Sequence, residues 1–255
     1  MNIKEGDISQ LGEHLLAFGD ATDTSLVNKL LQGRSVTLIL SDPPFGIAYV
    51  ENRVQFNQIR KNKPIANDQD QSEEEYRLFT KKWLEAVKPY LTTKNAFYIF
   101  NSDRKLFSLR DGIKDAGFRF TQLLIWVKNK AVLGRLDYLA QHELIVYGWY
   151  GTHTFQKSQD KSVLFYPKPN KSPLHPTMKP VGLLRNLILN SSRIGNYVYD
   201  PFGGSGSTLI ACEQTKRKCL MIELDLEYCE TIIKRYEKVT GIKSERIIYE
   251  RVSNN

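Results

Sequence analysis

Asp42, Pro43, Pro44 and Phe45 close the apolar run "VTLILSDPPFG". Two adjacent prolines restrict the backbone and remove its N–H donors. The Pro43 carbonyl is left as an acceptor. Asp42 adds a carboxylate, and Phe45 a flat face. An exocyclic amino group on a nucleobase is a poor nucleophile, because its lone pair is conjugated with the ring. Two rigid acceptors that take its hydrogens draw the nitrogen toward tetrahedral geometry and face the positive charge that develops there. Phe45 can stack on a base taken out of its helix. An Asp-Pro dipeptide taken singly more often marks a turn. The chemical reading accounts for all four residues.

A second stretch, "VYDPFGGSGST", carries Asp200, Phe202, Gly203, Gly204, Ser205, Gly206 and Thr208 between an apolar strand and a helix start. Glycines there let the backbone approach a ligand. Ser207 stands where a phosphate loop needs Lys. The third glycine of the dinucleotide fingerprint is missing as well. Asp200 would repel a pyrophosphate and attract an ammonium or a sulfonium. Glu223 ends the next strand, followed by Leu224, at the roughly 20-residue spacing of an acid that binds ribose hydroxyls. Ribose at one end and a cation at the other describe S-adenosylmethionine. Its activated methyl requires no metal and no covalent enzyme intermediate. The plainer alternative makes Asp200 a helix cap and Glu223 a solvated strand end.

Strands and helices must hold these two stretches side by side. The chain has 255 residues, with 41% hydrophobic and 11% aromatic, enough for one large α/β core. Strand patterns ("HLLAFGD", "SVTLIL", "NAFYIF", "FRFTQLLIWVK", "YVYD", "KCLMIELD") alternate with helical ones. The first helix, "TDTSLVNKLLQG", is expected to be capped near Thr22 or Thr24. Another, "KPVGLLRNLILNSS", is expected to carry Pro180 in its first turn. Alternation of this kind predicts an α/β fold with a mostly parallel twisted sheet and helices on both faces, in one domain over residues 1–255.

Two segments break the pattern and are expected to be binding loops. Residues 46–70 carry Arg53, Arg60, Lys61 and Lys63 among polar residues. Residues 129–175 mix bases and aromatics. "HELIVYGWY" within the second reads as a buried strand, which leaves Lys130, Arg135, Tyr138, His153 and Lys157 on either side.

The net charge of +8 favours a polyanionic partner. No apolar run approaches the roughly 20 residues that span a membrane, and no leader pattern marks export, so a cytoplasmic place is expected. Three cysteines and four scattered histidines make no metal-ligand spacing, and no metal is expected.

"SDPPFG", "DPFGGSGST" and, between them, "HPTMKP" at 175–180 together resemble the amino-group DNA methyltransferases over nearly the whole chain. Catalytic motif before cofactor motif is the circularly permuted order of the β group. The resemblance implies a Rossmann-like S-adenosylmethionine-dependent methyltransferase fold. It makes residues 46–70 a mobile loop over the DNA target and residues 129–175 a short target recognition insertion, with Lys130, Arg135, Tyr138, His153 and Lys157 as the DNA readers. It makes Asp42, Pro43, Pro44 and Phe45 catalytic, with Asp42 also bordering the cofactor. "LLAFGDAT" would hold the cofactor's adenine through Asp20 and Ala21, and Lys179 and Thr177 would lie near its methionine end. An Asp-Pro-Pro-aromatic motif implies adenine N6 in DNA, methylated after base flipping. Cytosine N4, RNA and protein glutamine are the alternative targets. A non-catalytic nucleic-acid-binding protein on the same fold is a further alternative. A homodimer and a companion restriction endonuclease are further partners that the resemblance leaves open.

Overall fold

A computed structural model describes residues 3–46, 70–131, 137–157, 159–169 and 178–247. Ten strands form one sheet. They are β1 (Ile8–Leu11), β2 (His14–Phe18), β3 (Val36–Ser41), β4 (Leu91–Asn101), β5 (Arg119–Val127), β6 (His142–Trp149), β7 (Val163–Phe165), β8 (Tyr197–Asp200), β9 (Lys218–Glu223) and β10 (Glu245–Ile247). The order across the sheet is β10-β1-β2-β9-β8-β3-β4-β6-β5-β7. The central run β2-β9-β8-β3-β4 is parallel throughout. Of the described strands, only β1 and β6 run against the rest.

The parallel strands are apolar on both sides, and successive residues serve opposite faces. In β3, Leu38 and Leu40 join one core layer and Ile39 the other. In β4, Tyr98 and Phe100 face one way and Phe97 and Ile99 the other. Helices α1 (Thr24–Leu31), α2 (Glu73–Val87) and α3 (Leu106–Asp115) cover the Ile39 face. Helices α4 (Val181–Ser191), α5 (Ser207–Thr215) and α6 (Leu226–Thr240) cover the other. The three cysteines are buried and unpaired. Among the described residues, no helix is long and apolar enough to cross a membrane.

Caps differ from the sequence expectation in two places. Asp23 caps α1, accepting from the Ser25 N–H at 2.8 Å, in place of Thr22 or Thr24. An Asp oxygen at the N-cap meets the orphan N–H groups and the positive end of the helix together. Pro180 stands at the N-cap of α4, one position before its first turn.

Within 129–175, "HELIVYGW" is the buried strand its apolar run predicts, β6, seated between β4 and β5, and "VLF" is the edge strand β7. Residues 47–69 lie outside the described residues, and with them Arg53, Arg60, Lys61 and Lys63; so do Arg135 and Thr177.

Two strand pairs leave the middle of the sheet in opposite directions. From β3 the chain proceeds to β4 on one side, and from β8 to β9 on the other. A crevice opens where such an order reverses, at the carboxyl ends of the strands. Ser41, Asp200 and Glu223 are the last residues of β3, β8 and β9, so both sequence motifs arrive at that edge.

Gly148 shows how tightly β6 is seated. A Cβ there would lie 1.8 Å from the Arg119 carbonyl oxygen and 2.6 Å from the Phe97 ring. Gly148→Ala is expected to destabilise the fold by about 1–3 kcal/mol, as overpacking does. Urea unfolding checks this, and an unchanged midpoint would contradict the tight seating.

Candidate active site

The crevice is a cavity of about 550 Å³. Its floor and walls come from the strand ends. β2 leads into Gly19, Asp20 and Ala21, and β3 into Asp42, Pro43, Pro44 and Phe45. β8 leads into Asp200, Phe202, Gly203, Gly204, Ser205 and Thr208, and β9 into Glu223 and Leu224. Lys179 and Tyr138 also line it. Gly206, expected at the cofactor, does not. It caps α5 with φ +74°, and a Cβ would press on Ile232 at 3.2 Å. Lys130, His153 and Lys157 lie outside the cavity too, and the His153 ring stacks on Trp149 at 3.7 Å.

Backbone shape explains the glycine loop. Gly204 has φ +52°, a left-handed value that other residues rarely adopt. A Cβ on Gly203 would sit 2.7 Å from the Met221 sulfur. The loop holds no Lys, but Arg235 of α6 reaches it from behind and donates to the Ser205 carbonyl at 2.7 Å. Phe202 packs on Phe79 and Trp83 of α2, each ring 5.7 Å away.

Two carboxylates sit in this half of the cavity. Asp200 accepts from the Phe202 N–H at 3.1 Å and from the Thr208 hydroxyl. Burial pushes its pKa up to about 8, beyond what those hydrogen bonds offset. Glu223 accepts from the Gly204 N–H at 2.6 Å and the Asp225 N–H at 2.8 Å. Burial again dominates and lifts it to about 7. Such groups hold protons near neutrality until a cation or a set of donors arrives. Asp20 closes a small turn, accepting from the Thr22 N–H at 2.8 Å.

The other half is organised by alternating charges. Lys179 Nζ lies 2.5 Å from Asp42 Oδ2 and 3.3 Å from Glu143 Oε2. Lys128 Nζ lies 2.7 Å from Glu143 Oε1. Lys179 also faces the rings of Phe100 at 5.1 Å and Phe45 at 5.8 Å. Burial raises the Asp42 pKa even against Lys179. Burial opposes the charge of Glu143 as well, but its two lysines outweigh it and the pKa falls. Asp42 Oδ1 is buried without a hydrogen-bond partner among the described residues. An acceptor left open at a cavity wall can take a donor from a bound molecule.

Glu143, Lys128, Phe100 and Trp126 line the cavity and escaped the sequence reading. The available signal was a charge at each end of an apolar strand, Lys128 after "LLIWV" and Glu143 before "LIVYG". Their partnership follows from the pairing of Trp126 with Glu143 across β5 and β6, which sequence patterning does not disclose.

A family model described as DNA methylase, of the N6 and N4 type, matches residues 36–235. The chain belongs to the DNA methylase family. A DNA methylase acts on DNA, and S-adenosylmethionine is the methyl donor of this family. Among curated proteins, the chain is 25% identical to the type II methyltransferase M2.MboI of Moraxella bovis, over 83% of this chain and 84% of that protein. The M1.HpyAVI–SAM complex has a similar fold, with TM-score 0.64 and 23% identity over 86% of this chain and 98% of that one. So does the PvuII DNA methyltransferase, described as cytosine-N4-specific, with TM-score 0.67 and 17% identity over 89% of each chain. This DNA methylase therefore has the Rossmann-like methyltransferase fold expected from its motif order.

The raised pKa values have a stability consequence. A carboxyl whose pKa is higher in the folded than in the unfolded chain stabilises the fold at low pH, and loses that contribution as pH rises through the folded value. For Asp200 and Glu223 that window runs from the ordinary carboxylate range up to about 7 to 8. Without cofactor, the DNA methylase should lose urea resistance between about pH 5 and pH 8, and Asp200→Asn should flatten the decline. A variant with the same slope as the parent would place the titration elsewhere.

Proposed function

We propose that this DNA methylase moves the methyl of S-adenosylmethionine to N6 of adenine, with Asp42 and the Pro43 carbonyl as the acceptors for the amino group. The open Asp42 Oδ1 carries this reading, because it is a buried acceptor beside Pro43 and the Phe45 ring. The donor set fits the cofactor. Asp200 and Glu223 offer the negative charge and the hydroxyl acceptors such a molecule needs, and Gly203, Gly204, Ser205 and Thr208 bring backbone and hydroxyls alongside. Asp20, Ala21, Phe202 and Leu224 border the same space. When bound, S-adenosylmethionine would supply a methyl on a positively charged sulfur and leave as the neutral thioether, and the alkylated nitrogen would pass its surplus proton to Asp42 or to solvent.

The protein's part is to hold the amine and keep water from its place. Asp42 and Pro43 each accept one of its hydrogens, Pro44 stiffens the turn, and Phe45 stacks on the base. Adenine is favoured because the acceptor is Asp, the residue that accompanies adenine in the family the motifs resemble. The reading also assigns Arg53, Arg60, Lys61, Lys63, Lys130, Arg135, Tyr138, His153 and Lys157 to DNA. Tyr138 stands at the rim, 92% exposed, which suits a side chain that meets DNA before the cavity does. The same reading takes the chain as a single cytoplasmic domain. It includes a second copy of the chain as a partner, to be checked by sedimentation. M2.MboI is called a type II methyltransferase, and that likeness supports a companion restriction endonuclease.

Expressed in a methylation-deficient host, the chain should leave N6-methyladenine at specific sites, read by modified-base sequencing. N4-methylcytosine in its place would overturn the choice of base. Asp42→Ala should abolish transfer while S-adenosylmethionine binding stays within about threefold, since the removed acceptor meets the amine. Near-normal turnover would overturn the catalytic assignment. Neutralising Arg53, Arg60, Lys61 and Lys63 together should flatten the salt dependence of DNA affinity, by roughly one unit of slope for each phosphate no longer neutralised. An unchanged slope would assign phosphate binding to other residues.

A further inference from the structure

We propose that Glu143 is a positioning residue that holds Lys128 and Lys179 apart, so that only one oxygen of Asp42 is occupied and the other stays open for the target amine. This inference rests on the reading of Asp42 as the amine acceptor.

Four charged side chains form an unbranched line through the wall of the cavity: Asp42, Lys179, Glu143, Lys128. The lysines are almost wholly buried, at 6% for Lys179 and 5% for Lys128. A buried ammonium takes the nearest acceptor it can reach, because the alternative is an unpaired charge out of water. Asp42 offers two oxygens. Lys179 takes Oδ2, and Oδ1 has no partner among the described residues. Lys128 is close enough for its charge to act on Asp42, yet it pairs with Glu143.

Glu143 can hold both lysines because of strand register. It lies opposite Trp126 in the antiparallel β5–β6 pair. Lys128, two residues beyond Trp126, projects from the same face on the diagonal. Its ammonium lies 5.1 Å from the centre of the Trp126 ring. Each Glu143 oxygen then meets a different lysine. The two carboxylates are driven apart in character, Glu143 toward the ionised form and Asp42 toward stronger proton affinity. A pair separated in this way divides the work, one group holding charge and the other accepting hydrogen from the reacting centre.

Charge counting makes the inference testable. The line is neutral as it stands. Glu143→Gln leaves one surplus positive charge, and Lys128 then has Asp42 within reach of its charge. With Oδ1 covered, the amine loses an acceptor. Adding Lys128→Met removes the surplus charge and the competitor together.

The test is single-turnover methyl transfer at saturating S-adenosylmethionine and DNA, with both affinities measured separately. Glu143→Gln should slow transfer by about tenfold or more, the scale of a missing hydrogen bond to a charged group, while both affinities stay within about threefold. The double variant Glu143→Gln/Lys128→Met should be faster than Glu143→Gln alone. A merely structural Glu143 gives the opposite, with two defects that add. A wild-type rate in Glu143→Gln, or a double variant no faster than the single, would overturn the proposal. If the single variant does not fold, the charge-balanced double variant decides: a rate near the parent's supports the proposal, and a defect as deep as that of Asp42→Ala overturns it. Turnover in Asp42→Ala would instead remove the reading on which the proposal rests, so the two failures are told apart.

Discussion

A carboxylate taken out of water must find a positive charge or keep its proton, and the crevice of this DNA methylase is built around that constraint. Three strand ends bring an acid to one edge of the sheet, at Asp42, Asp200 and Glu223. Asp42 has a resident cation in Lys179. Among the described residues, Asp200 and Glu223 have only neutral donors, and burial lifts their pKa values to about 8 and about 7. That side of the cavity favours a cation over an anionic phosphate, as the proposed seating of the methyl donor requires.

The sheet produces this arrangement through topology. Strand order reverses between β3 and β8, so loops leaving them diverge and open a space between. The Asp42–Phe45 turn follows one strand and the glycine loop the other. Circular permutation of the motifs leaves this unchanged, because the strands meet in space whatever their order in the chain. β6 adds what the parallel strands cannot. Running against β4, it brings its first residues to the edge where β4 and β5 end, and with them Glu143.

Much of the architecture was legible in the sequence because burial on both faces of a strand demands a continuous apolar run. "VTLILS" and "KCLMIE" could hardly be anything else. Short edge strands were not legible: "ISQL" and "ERI" are three or four residues with little pattern, and they exist because a neighbour offers an open edge. Of the site, Asp42, Asp200 and Glu223 were readable because each stands next to a diagnostic local feature, a proline pair or a glycine loop. Lys179, expected near the methionine end of the cofactor, lines the cavity and contacts Asp42 directly. Glu143 and Lys128 are marked in the sequence only as charges at the ends of apolar strands. Their relation is set by antiparallel register, a property of two strands together. Gly206, expected at the cofactor, stands at the N-cap of α5 with φ +74° and is not among the residues lining the cavity.

The dependence of cofactor recognition on buried carboxylates can be measured directly as proton release. Titration calorimetry of S-adenosylmethionine into the protein at pH 7, in buffers of different ionisation enthalpy, counts the protons exchanged. Asp200, at about 8, is mostly protonated at this pH and must ionise to face a cation, while Glu223, at about 7, is half protonated and faces hydroxyls. Release of about one proton per cofactor bound is expected, falling in Asp200→Asn. A binding enthalpy independent of the buffer would contradict recognition of the methyl donor through these carboxylates.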